Sequence, residues 1–343
     1  MQLVKSGIWY SVLLTVLLAN RIAVYGQTEP LSENAAGKNE SNWNLPMRTL
    51  GGKQFWTDHL IHGDWRIQQN VVTDHYRLLD ATNHRRAWGT WQQCYEQWRT
   101  LQRDESVPAC KPRVVIFLHG LIRSRSSMAA IADYVAKHSA FETLCFSYAS
   151  TRAPVASHAK ALHDVVAHLE GAQEVDFVAH SLGNLVIRHY LHDQMTAGDG
   201  RIDPRIKRVV MLAPPNKGAQ LAERLKDNPA FKLVFGVSGK QLAEQWRDLQ
   251  AHLAIPPCEF GIIAAKGRTW LGSNPLLEGK DDYVVRVEET RLPGARDFLE
   301  VPGLHSFIMD QHDVQQATLK FLEHGHFVSE AERKPIPVEQ NEP

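Results

Sequence analysis

Short apolar runs alternate with amphipathic stretches through the middle of the chain. Uninterrupted runs of Val, Ile and Leu are typical of strands buried on both faces, and the stretches between them have helical periodicity. The predicted strands are 114–118, 143–148, 175–179, 208–212, 260–264 and 298–301, and the predicted helices are 128–137, 158–169, 185–195 and 314–324. This order predicts an α/β fold with a mostly parallel, doubly wound sheet and helices on both faces.

Two segments depart from this alternation. Between Asp64 and Asp80 the pattern of apolar positions predicts antiparallel strands at a sheet edge. Residues 217–253 have helical periodicity without a strand. They are either ordinary packing helices or a helical cap over the carboxyl edge of the sheet, where ligands bind in doubly wound folds.

The beginning of the chain has the pattern of an export signal. Lys5 precedes an apolar run from Ile8 to Ala19, and small residues follow before Gln27, which predicts a signal peptide over 1–26. The apolar run is about half as long as an untilted membrane span requires. A retained membrane anchor is therefore the less favoured alternative, and we expect an exported protein, secreted or periplasmic.

Polar composition sets the limits of the folded part. Residues 27–50 are rich in Asn, Glu, Ser and Gly, and residues 328–343 carry several charges and three prolines. Neither segment has enough apolar surface to order itself, which predicts a disordered linker and a disordered tail. The folded domain is expected at 51–327.

Charge and composition exclude several function classes. The 38 basic residues balance the 38 acidic ones, so the protein has no overall field that would attract nucleic acid. A hydrophobic content of 43% is ordinary for a chain that buries a core. No segment has the ligand spacing of a common metal site, and the pair His324 and His326 is more typical of surface residues. We therefore expect neither a metal nor another cofactor.

The four cysteines permit disulfides in an exported protein. Cys94 and Cys110 flank a short polar stretch and are the favoured pair. Cys145 lies within a predicted strand and is expected to be a buried free thiol. Cys258 has no favoured partner.

Ser181 lies where a predicted strand passes directly into a predicted helix. Ala179 and Gly183 stand two residues before and after it, and a tight strand-to-helix turn requires small residues at these places. A serine alcohol is a poor nucleophile, so it needs a positioned base and N–H donors for the developing oxyanion. The Leu182 amide, directly after the serine, is one predicted donor.

The first strand of the parallel series ends in a second part of this site. It passes into His119, Gly120 and Leu121, and Gly120 permits a sharp turn there. Such a turn points the Leu121 amide towards the substrate oxygen. Leu121 is therefore the other predicted oxyanion donor.

Loops after later strands contain the candidate base and acid. His305 follows the last predicted strand, whereas His180 leaves the serine turn in another direction and His312 lies in or near the last helix. His305 is therefore the predicted base. Asp281 and Asp282 compete for the acid that orients it, and Asp282 is preferred.

At these residues the sequence resembles the α/β-hydrolase superfamily, and more narrowly bacterial lipases and esterases whose nucleophile turn reads Ala-His-Ser-x-Gly. The matching segments are 119–121 for the oxyanion strand end, 179–183 for the nucleophile turn, 282–287 for the acid loop and 303–305 for the histidine loop. The order serine, acid, histidine along the chain is also that of this fold. Tyr283 and Arg286 replace the usual Gly and Pro of the acid loop, which leaves Asp281 open as the acid.

The resemblance implies a serine hydrolase that cleaves carboxylic esters, an esterase or a lipase. Ser181 is the expected nucleophile, His305 the base and Asp282 the orienting acid. The expected partner is a small-molecule or lipid ester, with transient contact at a lipid surface and no nucleic acid. An acyltransferase, a thioesterase or an amidase with the same triad remains an alternative, as does a secreted binding protein that kept the fold without the chemistry.

Overall fold

A four-stranded antiparallel sheet opens the described part of the chain. The computed structural model describes residues 54–218, 220–225, 229–267, 281–282 and 284–338. In spatial order the strands are β1 (Trp56–His62), β2 (Trp65–Asn70), β3 (Tyr76–Leu79) and β4 (Arg85–Gly89). The antiparallel strands predicted within 64–80 are confirmed. The predicted signal peptide and linker lie outside the described residues.

Six further strands form one parallel sheet. They are β5 (Arg113–Leu118), β6 (Glu142–Phe146), β7 (Glu174–His180), β8 (Ile206–Leu212), β9 (Glu259–Ala265) and β10 (Asp297–Val301). Their spatial order is β10-β9-β8-β7-β5-β6, and every neighbouring pair is parallel. The predicted α/β class is confirmed: the six strands form a parallel sheet between helices.

Helices cover both faces of the parallel sheet. The helices of the described residues are α1 (Trp91–Asp104), α2 (Ala129–His138), α3 (Val155–Ala167), α4 (Leu182–Ala197), α5 (Gln220–Leu225), α6 (Pro229–Glu244), α7 (Trp246–Gln250), α8 (Val287–Thr290) and α9 (His312–His324). Phe177 of β7 lies 6.0 Å from the Tyr190 ring of α4, whereas the next residue, Val178, packs in a core with Ile131 of α2 and Leu322 of α9. In the described residues, no helix is both long and apolar enough to cross a membrane.

The antiparallel sheet is not the edge of the parallel sheet, which corrects the prediction. Its strand β1 touches the chain just after the edge strand β6, where the Asp58 N–H donates to the Ser147 carbonyl at 2.9 Å. The buried Asp58 carboxylate also accepts from Arg66, Gln68 and the Ser147 N–H, each at 2.7 Å. Hydrogen bonds between Asp58 and Ser147 thus join the two sheets where strand pairing was expected.

Helix α1 was not predicted, because its sequence is polar. Its N-terminus has a capping box in which Thr90 Oγ1 accepts from the Gln93 N–H at 3.3 Å and Gln93 Oε1 accepts from the Thr90 N–H at 2.9 Å. Its buried side chains are Cys94, Trp98 and Leu101, which follow helical spacing and pack on the antiparallel sheet.

We expect Thr90→Ala to lower the free energy of unfolding by about 1 kcal/mol, because the substitution leaves helix N–H groups without their acceptor. Urea denaturation measures the change. Thr100→Ala is the control, since this hydroxyl donates only to the Glu96 carbonyl on the exposed side of the same helix. Equal losses in the two variants would contradict a specific role for the cap.

The favoured disulfide is absent, although all four cysteines are described. Cys94 lies in the core beneath α1, whereas Cys110 Sγ lies 3.8 Å from His62 Nδ1. The two thiols therefore belong to different surroundings, which sequence spacing did not reveal. Burial raises the pKa of Cys94 to about 11 and that of Cys110 to about 12. Cys145 is a free thiol, as expected, but it is half-buried and not fully buried.

The tail prediction is wrong over residues 328–338. The Gly294 N–H donates to the Ile336 carbonyl at 2.8 Å, and the Ile336 N–H donates to the Ala295 carbonyl at 2.9 Å. The Lys334 N–H donates to Asp297 Oδ1 at 2.9 Å. Prolines on both sides of Ile336 restrict the backbone, so extended pairing costs less entropy than composition alone indicates. Residues 339–343 lie outside the described part.

Candidate active site

Ser181 stands on a strained turn between β7 and α4. Its φ is +51° and its ψ is −118°, a backbone conformation that residues other than glycine seldom adopt. The Ser181 N–H donates to the Leu212 carbonyl at 3.0 Å, and the Ser181 carbonyl accepts from Asn184 Nδ2 at the same distance. These bonds hold the turn against its strain and present the hydroxyl at the carboxyl edge of the sheet.

Close packing explains the two glycines of the predicted motifs. A Cβ on Gly183 would lie 2.9 Å from the backbone oxygens of Leu118 and His119, which leaves no room for a side chain. A Cβ on Gly120 would lie 2.7 Å from His180 Nδ1 and 3.2 Å from the Ser181 Cβ. The loop after β5 is therefore pressed directly against the serine turn.

The structure brings the three predicted triad residues into one hydrogen-bonded line. His305 Nε2 lies 2.9 Å from Ser181 Oγ, and His305 Nδ1 lies 2.7 Å from Asp282 Oδ2. Asp282 is 1% exposed and His305 is 6% exposed, so little water competes for these contacts. The line has the geometry needed to pass a proton from the serine hydroxyl to the imidazole.

Backbone groups fix the acid loop on the histidine. Asp282 Oδ1 accepts from the N–H groups of Val284 at 3.0 Å and Val285 at 2.7 Å, which directs Oδ2 to the imidazole. The His305 N–H also donates to the Asp282 carbonyl at 3.1 Å. Asp281 instead forms an isolated β-bridge with Arg286. Of the two candidates, Asp282 is the one whose carboxylate lies 2.7 Å from the imidazole.

The two other candidate histidines are engaged elsewhere. His180 Nε2 donates to the His305 carbonyl at 2.9 Å, and the His312 ring packs against Tyr134 at 5.4 Å. Burial, with a smaller contribution from His305, holds the pKa of His180 well below its usual value. His180 is therefore neutral and supports the backbone of the histidine loop.

The predicted oxyanion donors flank the nucleophile. Leu182 directly follows Ser181, and Leu121 directly follows Gly120, the glycine pressed against the serine. Within the part of the chain that the structure describes, neither backbone N–H donates to another protein group. Both amides are thus available to an oxygen bound beside the serine.

Sequence analysis missed three residues that hold the loop after β5: Gln54, Arg123 and Ser150. Ser150 Oγ accepts from the Ile122 N–H at 3.1 Å, Gln54 Nε2 donates to the Arg123 carbonyl at 2.8 Å, and the Arg123 guanidinium donates to the Ser306 carbonyl. Ser150 follows a predicted strand end, a place where functional side chains collect in such sheets. Gln54 and Arg123 carry no signal in the sequence.

Helix α6, in the segment predicted to be either packing helices or a cap, approaches the loop that follows β5 (residues 119–123, the predicted oxyanion loop). A Cβ on Gly239 of α6 would lie 3.7 Å from Leu121 Cδ2, and the Val237 N–H donates to the Thr151 carbonyl at 3.0 Å. Gly236 is necessary at the kink of α6, because its φ is +60° and a Cβ there would lie 2.0 Å from the Thr151 oxygen.

No group of three or more His, Cys, Asp or Glu residues in the described ranges has a geometry suited to a metal ion.

Comparison with known proteins gives a family without an assigned role. A family model described as a domain of unknown function, DUF7379, matches residues 81–241. The matched range is less than half of the chain and includes Ser181, but neither Asp282 nor His305. No curated protein matches the chain.

Several solved structures are similar in part. The lipase BlEst2 of Bacillus licheniformis in its propeptide form is 18% identical, with 58% of this chain and 47% of that chain covered and a TM-score of 0.42. Phospholipase PlaB from Legionella pneumophila is 16% identical, with coverages of 52% and 45% and a TM-score of 0.40. The metagenomic carboxyl esterase MGS0156 is 18% identical, with coverages of 59% and 68% and a TM-score of 0.46. The chain spans about half the length of the first two structures.

Proposed function

We propose that this protein is a serine hydrolase that cleaves carboxylic esters through an acyl-enzyme on Ser181. The observation that carries the proposal is the line from Asp282 through His305 to Ser181, with distances of 2.7 and 2.9 Å. An alcohol becomes a competent nucleophile at neutral pH when a base of this kind is oriented by a third group. The strained backbone of Ser181 and the unused amides beside it support the same assignment.

In the first half-reaction His305 Nε2 takes the hydroxyl proton while Ser181 Oγ bonds to the ester carbonyl carbon. The carbonyl electron pair moves onto the oxygen, and the amides of Leu121 and Leu182 donate to this oxyanion. When the electron pair returns, the bond to the alcohol oxygen breaks and the alcohol leaves with the proton from His305. The acyl group remains on Ser181.

In the second half-reaction water replaces the alcohol. His305 takes a proton from water as the water oxygen bonds to the acyl carbon, and collapse of the intermediate releases the carboxylic acid and returns the proton to Ser181. Asp282 remains ionised throughout. It accepts from His305 Nδ1–H, which keeps Nε2 free to act as the base and stabilises the imidazolium.

We also propose that residues 217–253 form a cap that shapes the acyl side of the site, since α6 lies beside Leu121. The substrate is then a small-molecule or lipid ester. Export through the signal peptide at 1–26 remains part of the proposal. N-terminal sequencing of the exported protein tests it: a start near Gln27 agrees with cleavage, and an intact Met1 contradicts it.

The decisive experiment is labelling with a fluorophosphonate, a probe that bonds covalently to activated serines. We expect the purified protein to form one adduct, mapped by peptide mass spectrometry to Ser181. The adduct should be absent from folded Ser181→Ala and from heat-unfolded wild type, because activation needs the assembled triad. A series of p-nitrophenyl esters of increasing chain length then defines the acyl preference. Absence of any adduct on the folded wild type would contradict the proposal.

A further inference from the structure

The oxyanion loop contains a second strained residue, next to the proposed donor. Ile122 has a φ of +65°, a conformation that is rare for a β-branched side chain. Its N–H donates to Ser150 Oγ at 3.1 Å. The peptide unit between Leu121 and Ile122 is therefore held by a side chain from the loop after β6.

Ser150 is in turn held from the N-terminal side of the chain. It is fully buried and donates to Gln54 Oε1 at 3.2 Å, and the same oxygen accepts from Thr151 Oγ1 at 3.0 Å. The amide nitrogen of Gln54 donates to the Arg123 carbonyl at 2.8 Å. One glutamine side chain thus contacts both the loop that holds Ile122 and the far end of the oxyanion loop.

We propose that Ser150 and Gln54 are positioning residues that hold the Leu121 amide in the orientation of an oxyanion donor. This inference rests on the proposed function, because the amide matters only where an oxyanion forms. Neither side chain is placed to touch the reacting atoms. They act through the backbone of 121–123, where Ile122 would otherwise relax from its positive φ and turn the neighbouring Leu121 N–H away.

The hydrogen bonds that Ser150 and Gln54 make to this loop are called the clamp below. Other contacts keep the loop in place when the clamp is lost. The Tyr148 hydroxyl donates to the His119 carbonyl, and the Arg123 guanidinium donates to the Ser306 carbonyl. Removal of the clamp should therefore misdirect one amide and leave the loop folded. Loss of an oxyanion donor lowers kcat by about 10²–10³ in other hydrolases, so we expect a fall of about tenfold to a hundredfold.

The experiment compares Ser150→Ala and Gln54→Ala with two controls. Ser147→Ala removes a buried hydroxyl from the same loop as Ser150, and Gln69→Ala removes a side-chain amide from β2 of the antiparallel sheet, whose first strand begins two residues after Gln54. Among the described residues, neither control residue forms a hydrogen bond with Ile122 or Arg123: Gln69 bonds to Asp74 and Ser147 to Asp58. For each protein kcat and KM are measured on one p-nitrophenyl ester, with the inhibition constant of a trifluoromethyl ketone, whose adduct with Ser181 places an oxyanion between the two donors.

We expect both test variants to lose kcat, to keep KM within about threefold and to bind the ketone more weakly by the same factor as the loss of kcat/KM. Unchanged kcat in both variants would overturn the clamp. A loss of kcat without weaker ketone binding would also overturn it, since that pattern indicates a smaller fraction of active protein and an intact oxyanion donor. If Ser150→Ala does not fold, Gln54→Ala alone decides. An inert wild type that no fluorophosphonate labels would instead contradict the proposed hydrolase activity.

Discussion

Asp282→Asn is expected to lower kcat by about 10⁴ while leaving the fold intact. The acid loop explains why so small a change has so large an effect. The N–H groups of Val284 and Val285 both donate to Oδ1 and will hold the oxygen of an asparagine there. The new NH₂ group then faces His305 Nδ1, which must accept the hydrogen bond. The proton of the imidazole moves to Nε2, and Nε2 can no longer take a proton from Ser181.

Asp281→Asn is the matched control, because it makes the same chemical change one residue away. The Asp281 backbone bridges to Arg286, and it is Asp282 Oδ2 that lies 2.7 Å from the imidazole. We expect kcat of Asp281→Asn to stay within about tenfold of wild type. Both variants are assayed on the same ester, with urea denaturation as the check on folding. A large loss in Asp281→Asn beside a small loss in Asp282→Asn would show that the acid is assigned to the wrong residue.

The parallel sheet could be predicted because its strands β5, β7 and β9 are buried on both faces and read as apolar runs. The edge strands β6 and β10 are only partly buried, but all six strands are found near their predicted positions. Helix α1 lies at the other extreme. Its buried Cys94, Trp98 and Leu101 have helical spacing, but the stripe is narrow and the helix is otherwise polar, so composition concealed it. The narrower the buried surface of an element, the weaker its signal in the sequence.

The site, like the fold, has some residues that local sequence rules predict and others that only the contacts of the folded chain reveal. The small residues around Ser181 and the order of nucleophile, acid and base follow from chain-local rules, and the structure brings these side chains together. The choice between Asp281 and Asp282 depends on where the amides of a following turn point, which adjacent positions in a sequence cannot distinguish. Gln54 is 69 residues from Arg123, so only the folded chain reveals their contact.

Acid is expected to destabilise the protein through three buried histidines, His119, His158 and His180. Burial is the main cause in each: it lowers the pKa of His119 to about 4 and that of His158 to about 3, and it holds the pKa of His180 well below its usual value. The usual pKa of 6.5 applies to the unfolded chain, which therefore binds more protons than the folded one below that pH. Their contribution is complete above pH 6.5 and is lost as the pH falls towards the folded-state values. For His119 and His158 the loss is about 2 kcal/mol each at pH 5, from 1.36 kcal/mol for each pH unit.

His158 offers the cleanest test of this linkage. Its ring lies 4.7 Å from that of Tyr148, and neither ring nitrogen has a well-formed hydrogen bond in the described structure, although the Ala153 carbonyl lies close enough to favour the charged form slightly. A leucine of similar volume can therefore replace it with little loss at pH 7. We expect His158→Leu to reduce the fall in unfolding free energy between pH 7 and pH 5 by about 2 kcal/mol relative to wild type, because the unfolded variant has one fewer proton to bind.

Urea denaturation of both proteins at the two pH values measures this difference directly. His163→Leu is the control on the same helix, since its side chain is exposed to water in the folded protein. It should leave the fall unchanged. If His158→Leu and wild type lost equal stability between pH 7 and pH 5, the buried imidazole would have to be protonated as readily in the folded chain as in water. That outcome would require solvent or a counter-charge to reach a ring that is enclosed by α3 and the Tyr148 side chain.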